Sequence, residues 1–122
     1  MVFVRIAAVL GFLGVGLGAF GAHGLKSRVT PEMLTIWQTG VLYHLVHAVA
    51  LLGVGVLVER VSSSAVNVAG WAFTAGVLVF SGSLYALVLS GVRVLGAVTP
   101  LGGVAFLVGW AALLVATFTR SS

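Results

Sequence analysis

The chain has 122 residues, the length of one domain; 61% of them are hydrophobic and 7% are charged. That charge is too sparse to cover a water-soluble domain, and a net charge of +4 without a basic face or interleaved aromatics argues against nucleic acid. With no cysteine, disulfides and thiolate metal sites are excluded.

The eight charged residues are Arg5, Lys26, Arg28, Glu32, Glu59, Arg60, Arg93 and Arg120. Between them lie uncharged stretches at 6–25, 33–58, 61–92 and 94–119, of 20, 26, 32 and 26 residues. A helix rises about 1.5 Å per residue, so about 20 residues cross a hydrocarbon layer of about 30 Å. The runs are apolar on every side, unlike the alternating strands of a barrel. The predicted fold is therefore all-α: a single integral membrane four-helix bundle over 1–122, with short loops and a surface-lying start to helix 2.

Helix 1 is expected at about 2–22. Arg5 before an apolar run, with small residues at Ala19-Phe20-Gly21, resembles a cleavable leader, but the segment reads as the first span. Helix 2 is expected at 31–58. Thr30-Pro31-Glu32 supplies an N-cap hydroxyl, a proline at the first helical position and a carboxylate in the first turn. A straight helix of that length is about 42 Å long, too long for one crossing. Residues 31–39 are therefore expected along the membrane surface with a bend near Gly40, and Trp37 at headgroup level. Ser62 to Ser64 and Asn67 read as a polar turn, and helix 3 as 68–90. A short loop carries Arg93, and Thr99-Pro100 repeats the cap and proline ahead of helix 4 at 99–119. Both chain ends then share one face, side A, with the 23–30 and 91–98 loops on side B. Arg5, Arg60 and Arg120 on side A balance Lys26, Arg28 and Arg93 on side B, so charge does not orient the chain.

Small residues form stripes at steps of three and four: Ala7, Gly11, Gly14, Gly18 and Gly21 in helix 1, and Gly102, Ala105, Gly109, Ala112 and Ala116 in helix 4. Helix 3 keeps this frame from Ala69 to Ser90 except at Val79. Such stripes let helices approach closely in lipid, where no hydrophobic force drives association. They serve either the bundle itself or contacts with a second copy or a larger membrane complex.

Polar side chains gather in the side-B half. His23, His47, Tyr43, Ser81, Ser83 and Tyr85 form a candidate polar pocket, because polar groups at membrane depth turn toward the bundle interior or water. Lys26, Arg28, Arg93, Thr99, Gly102 and Gly103 are candidate contacts for a lipid headgroup or anion, with helix 4 directing free N–H groups toward side B. His23, His44 and His47 are the candidate metal ligands. No carboxylate other than Glu32 lies near, so neither a hydrolytic base nor a catalytic triad is evident, and no cofactor is predicted.

Four motifs then stand out: Gly18 to Leu25 (GAFGAHGL), Tyr43 to Ala48 (YHLVHA), Phe80 to Tyr85 (FSGSLY) and Thr99 to Gly103 (TPLGG) with Gly109-Trp110. In order and spacing the chain resembles the family called domain of unknown function 423, which includes YgdD-like bacterial and transmembrane protein 256-like animal proteins. The resemblance implies a small four-helix protein of the bacterial inner membrane and no settled activity. It matches His47 to the family histidine, whereas the family usually has glutamine where this chain has His44. The reading is a non-enzymatic structural, lipid-binding or accessory membrane component. The alternatives are an oligomeric carrier or channel for protons or small solutes, and a His-ligated metal or haem protein.

Overall fold

The computed structural model describes residues 1–118, and among these it contains four long apolar helices and no strand. They are α1 (Val2–Leu25), α2 (Pro31–Leu57), α3 (Ser64–Ser90) and α4 (Thr99–Phe118). The expected end of helix 4 at Thr119, and Arg120 on side A, lie outside the described residues. Mean hydropathies of 1.9 to 2.1 over these segments match what a bilayer requires.

Local sequence accounts for most of the ends. Thr30 accepts from Met33 N–H at 3.2 Å, with Pro31 at the first helical position. Ser63 accepts from Ala65 N–H at 3.2 Å, so α3 begins at Ser64 and takes in Asn67, which the sequence placed in a turn. α3 stops at Gly91, whose φ of +74° suits a residue without a Cβ; its N–H returns to Leu87 O at 2.8 Å. A 3₁₀ turn, Arg93–Ala97, leads to α4. α1 does not end at Ala22; it widens into a π turn, Gly21–Leu25, that carries His23 and Gly24.

Among the described residues, each face of the bundle has one ion pair. On side A the terminal ammonium of Met1 lies 3.1 Å from Glu59, joining the start of α1 to the end of α2. On side B, Arg93 lies 3.1 Å from Glu32, joining the 3₁₀ turn to the start of α2. Both pairs are exposed and act as markers of sidedness more than as sources of stability.

α1 packs chiefly on α2, and α3 chiefly on α4; contacts between α2 and α3 join the two hairpins. The larger apolar core lies toward side A and includes Phe3, Leu51, Val54, Val66, Phe73 and Phe106. A smaller one toward side B holds Leu25, Trp37, Leu87 and Val88. Trp37 is 1% exposed, so its ring faces the protein interior and not the lipid headgroups. α2 runs as an unbroken helix from Pro31, and Met33 and Ile36 pack with Trp37 against protein rather than along the membrane surface. Burial leaves the Trp37 indole N–H paired, because Leu17 O accepts from it.

Two glycines allow backbones to meet. A Cβ on Gly55 would lie 2.8 Å from Val4 N, and one on Gly102 would fall on Phe80 N and 2.7 Å from Phe80 Cα. These crossings supply the close van der Waals contact that holds helices together in lipid.

Candidate functional site

Between the two cores lies a layer of polar side chains. Its first part is a seam in which α2 donates to backbone carbonyls of α1. Trp37 Nε1–H donates to Leu17 O at 2.9 Å, and His44 Nε2–H donates to Leu10 O at 2.7 Å. The spacing explains the repeat: Leu10 and Leu17 are seven apart, and so are Trp37 and His44 on the antiparallel helix. One turn beyond each carbonyl stands a glycine, Gly14 or Gly21. A Cβ on Gly21 would lie 2.7 Å from Trp37 Nε1, and one on Gly14 would lie 3.1 Å from His44 Cδ2. The missing side chains leave each carbonyl open to a second donor. Because Leu10 O only accepts, His44 carries its proton on Nε2, and Nδ1 accepts from Tyr85 O–H at 2.9 Å.

The second part joins α2 to α3 and α3 to α4. α3 contains a π turn, Val77–Ser81, where the small-residue stripe breaks at Val79. Ser81 closes this turn, is fully buried, and donates to Gly40 O on α2 at 2.6 Å. Ser83 donates to Phe80 O at 2.9 Å and accepts from the Thr99 hydroxyl at 2.6 Å. Thr99 is therefore drawn to α3 instead of capping α4.

The third part bridges α2 and α4 through rings. Trp110 Nε1–H donates to His47 Nε2 at 3.1 Å, and His47 Nδ1–H donates to Tyr43 O at 2.9 Å. An indole N–H can only donate, so His47 presents a lone pair at Nε2 and is a neutral ring of the opposite tautomer to His44. The imidazole stacks on Phe106 with centroids 3.6 Å apart and planes 9° apart. Tyr43 packs on Phe80 at 4.6 Å. Above these rings a groove of about 480 Å3 opens toward lipid, flanked on α4 by Pro100, Gly103, Val104 and Leu107.

The candidate pocket residues thus fall in several places. Tyr43 and His47 line the groove; Ser81 and Tyr85 lie in the interior, where the metal-ligand candidate His44 also sits; Ser83 joins Thr99; His23 is exposed at the end of α1. Of the candidate headgroup contacts, Lys26 and Arg28 are exposed, Arg93 pairs with Glu32, Gly102 is covered by Phe80, and Gly103 flanks the groove. Among the described residues, no three of His, Asp and Glu come together as metal ligands.

Sequence reasoning missed Trp37, Phe80, Phe106 and Trp110 as site residues. A signal existed for Trp110. It stands eleven residues into α4, far from the interfaces where tryptophan usually sits, and an indole N–H at that depth calls for an acceptor.

Four apolar helices whose interior polar groups bond to one another define a small multi-pass α-helical membrane protein. The family model described as "Protein of unknown function (DUF423)" matches residues 17–103, and the chain belongs to that family. It is 47% identical to the UPF0382 membrane protein YwdK of Bacillus subtilis over 116 residues, 94% of each chain. It is 46% identical to a UPF0382 membrane protein of Staphylococcus aureus over 116 residues, 95% of this chain and 94% of the relative. A Staphylococcus saprophyticus relative is 42% identical over 117 residues, 96% of this chain and 97% of the other. No solved structure matches the chain. The helices and these bacterial relatives place the protein in the bacterial inner membrane as an integral, multi-pass component.

Proposed function

We propose that the protein is a non-enzymatic membrane component that holds a lipid-soluble molecule in the groove between α2 and α4. The observation that carries this reading is the Tyr43 hydroxyl. His44, His47, Ser81, Ser83, Tyr85 and Trp110 are hydrogen-bonded within the protein, while Tyr43 lines the groove and its hydroxyl has no hydrogen-bond partner among the described residues. A hydroxyl facing hydrocarbon without a partner costs free energy, and a bound molecule with an acceptor removes that cost. The rest of the polar layer serves as scaffold: it joins α1 to α2, α2 to α3 and α4 to both, and so fixes the rings beneath the groove.

Gly103 supplies the test. A Cβ there would lie 4.0 Å from Phe80 Cδ2, so the first atom of a side chain has room, and a leucine at this lining position occupies groove volume. Lipid extracts of protein washed in fresh detergent are compared for wild type and Gly103→Leu by mass spectrometry. The reading predicts a molecule retained at near-stoichiometric level by wild type and lost from the variant. Equal lipid content in the two proteins removes it.

A further inference from the structure

Resting on that reading, the geometry points to an isoprenoid quinone as the molecule the groove takes, its ring lying against the aromatic side chains and one carbonyl accepting from the Tyr43 hydroxyl. Four features favour this class. The lining is rich in aromatic rings, contributed by Tyr43, Phe80, Phe106 and Trp110. Electron-rich faces of this kind gain more from a flat, electron-poor quinone ring than from an acyl chain, which packs equally well on aliphatic side chains. No charged residue lines the groove, so nothing in it complements a phosphate or a zwitterionic headgroup. The free donor is a single neutral hydroxyl, which matches a neutral carbonyl. Finally, the groove follows α4 from Pro100 to Trp110, about 15 Å from the side-B boundary toward the bilayer centre. It is open along its side, so a ligand enters from the lipid phase and leaves its prenyl tail there. A volume of about 480 Å3 accommodates a quinone ring with its first prenyl units.

His47 has a positioning role. Both its nitrogens are bonded within the protein, and its stack on the buried Phe106 ring fixes the floor on which Tyr43 and Phe80 rest. The ligand therefore meets Tyr43 and the ring faces, and makes no bond to imidazole.

The test uses the full chain in detergent, with menaquinone-4 and dioleoyl phosphatidylglycerol as probes and quenching of tryptophan fluorescence as readout. Trp110 lines the groove and Trp37 is buried between α1 and α3, while Trp71, on Phe3 and 53% exposed, reports the linear quenching by probe dissolved in the micelle. Wild type is expected to show saturable quenching by menaquinone-4. Tyr43→Phe, which removes only the hydroxyl, weakens apparent affinity about five- to tenfold, as loss of one hydrogen bond does. Gly103→Leu and Trp110→Phe abolish the saturable phase. Thermal unfolding of Tyr43→Phe and Gly103→Leu at the wild-type midpoint confirms that both fold. Quenching that rises linearly and equally in all four proteins is micelle partitioning and overturns the quinone assignment. If the phosphatidylglycerol displaces a groove-bound spin-labelled lipid while menaquinone-4 does not, the quinone assignment fails and the lipid-binding reading stands. If neither probe binds wild type in a Gly103-sensitive way, both fail.

Discussion

Gly102 and Gly103 are neighbours on one helix, yet they predict opposite outcomes on substitution by alanine. A methyl group at Gly102 falls on the backbone of Phe80, and backbone cannot rotate away as a side chain can. α3 and α4 must then separate, which strains the Ser83–Thr99 bond and shifts Phe106 against His47. Overpacking of a tight contact costs about 1–3 kcal/mol, and a backbone neighbour puts this case at the upper end. Alanine recovers about 0.5–1 kcal/mol of helix propensity. The net prediction for Gly102→Ala is a loss of about 2 kcal/mol. Gly103→Ala, with 4.0 Å to the nearest atom, and Gly11→Ala, with nothing within 4 Å, keep the propensity gain and lose nothing. Both are expected at or slightly above wild-type stability. Reversible unfolding in mixed micelles, followed by circular dichroism, measures all three. Wild-type stability for Gly102→Ala refutes the placement of α4 against α3, and an equal loss for Gly11→Ala refutes the open face of α1 at that position.

Other perturbations separate the parts of the polar layer. His44→Gln retains a donor for Leu10 O and an acceptor for Tyr85, so it should stay within about 0.5 kcal/mol of wild type. His44→Leu leaves both groups unpaired and should cost about 1–2 kcal/mol in the same assay. Trp110→Phe keeps a ring against Phe73 but removes the donor to His47; an unfolding loss of about 0.6–1.7 kcal/mol is expected. Glu32→Gln breaks an ion pair whose two side chains are 65% and 66% exposed, and a change below about 1 kcal/mol, smaller still in high salt, is expected.

The sequence made some of this legible and hid the rest for identifiable reasons. Four spans follow from where eight charges stop and apolar runs begin, because hydrocarbon tolerates little else. The Thr30-Pro31 start of α2 was readable since a cap acts within three residues. Which glycines meet another helix was not: Gly11 and Gly102 belong to equally regular stripes, yet one faces open space and the other a backbone. Partners of buried donors were equally hidden. Trp37 carries every mark of an interfacial anchor, and only the pairing of α1 with α2 shows that Gly21 opens Leu17 O to it. The three-residue spacing of His44 and His47 gave them neighbouring faces. It did not reveal that one bonds into the α1 seam and the other reaches α4. The break in the stripe at Val79 did have a structural counterpart, the π turn that brings Ser81 onto Gly40 O.

Sidedness offers the most direct check of the four-span bundle. The chain has no cysteine, so single cysteines can be placed at the exposed positions Ser27, Ser62 and Val94 without background. In intact cells, a membrane-impermeant maleimide should label Ser27→Cys and Val94→Cys alike, and Ser62→Cys oppositely. Labelling of Ser27→Cys and Ser62→Cys from the same face would contradict a crossing of α2 and the architecture built on it.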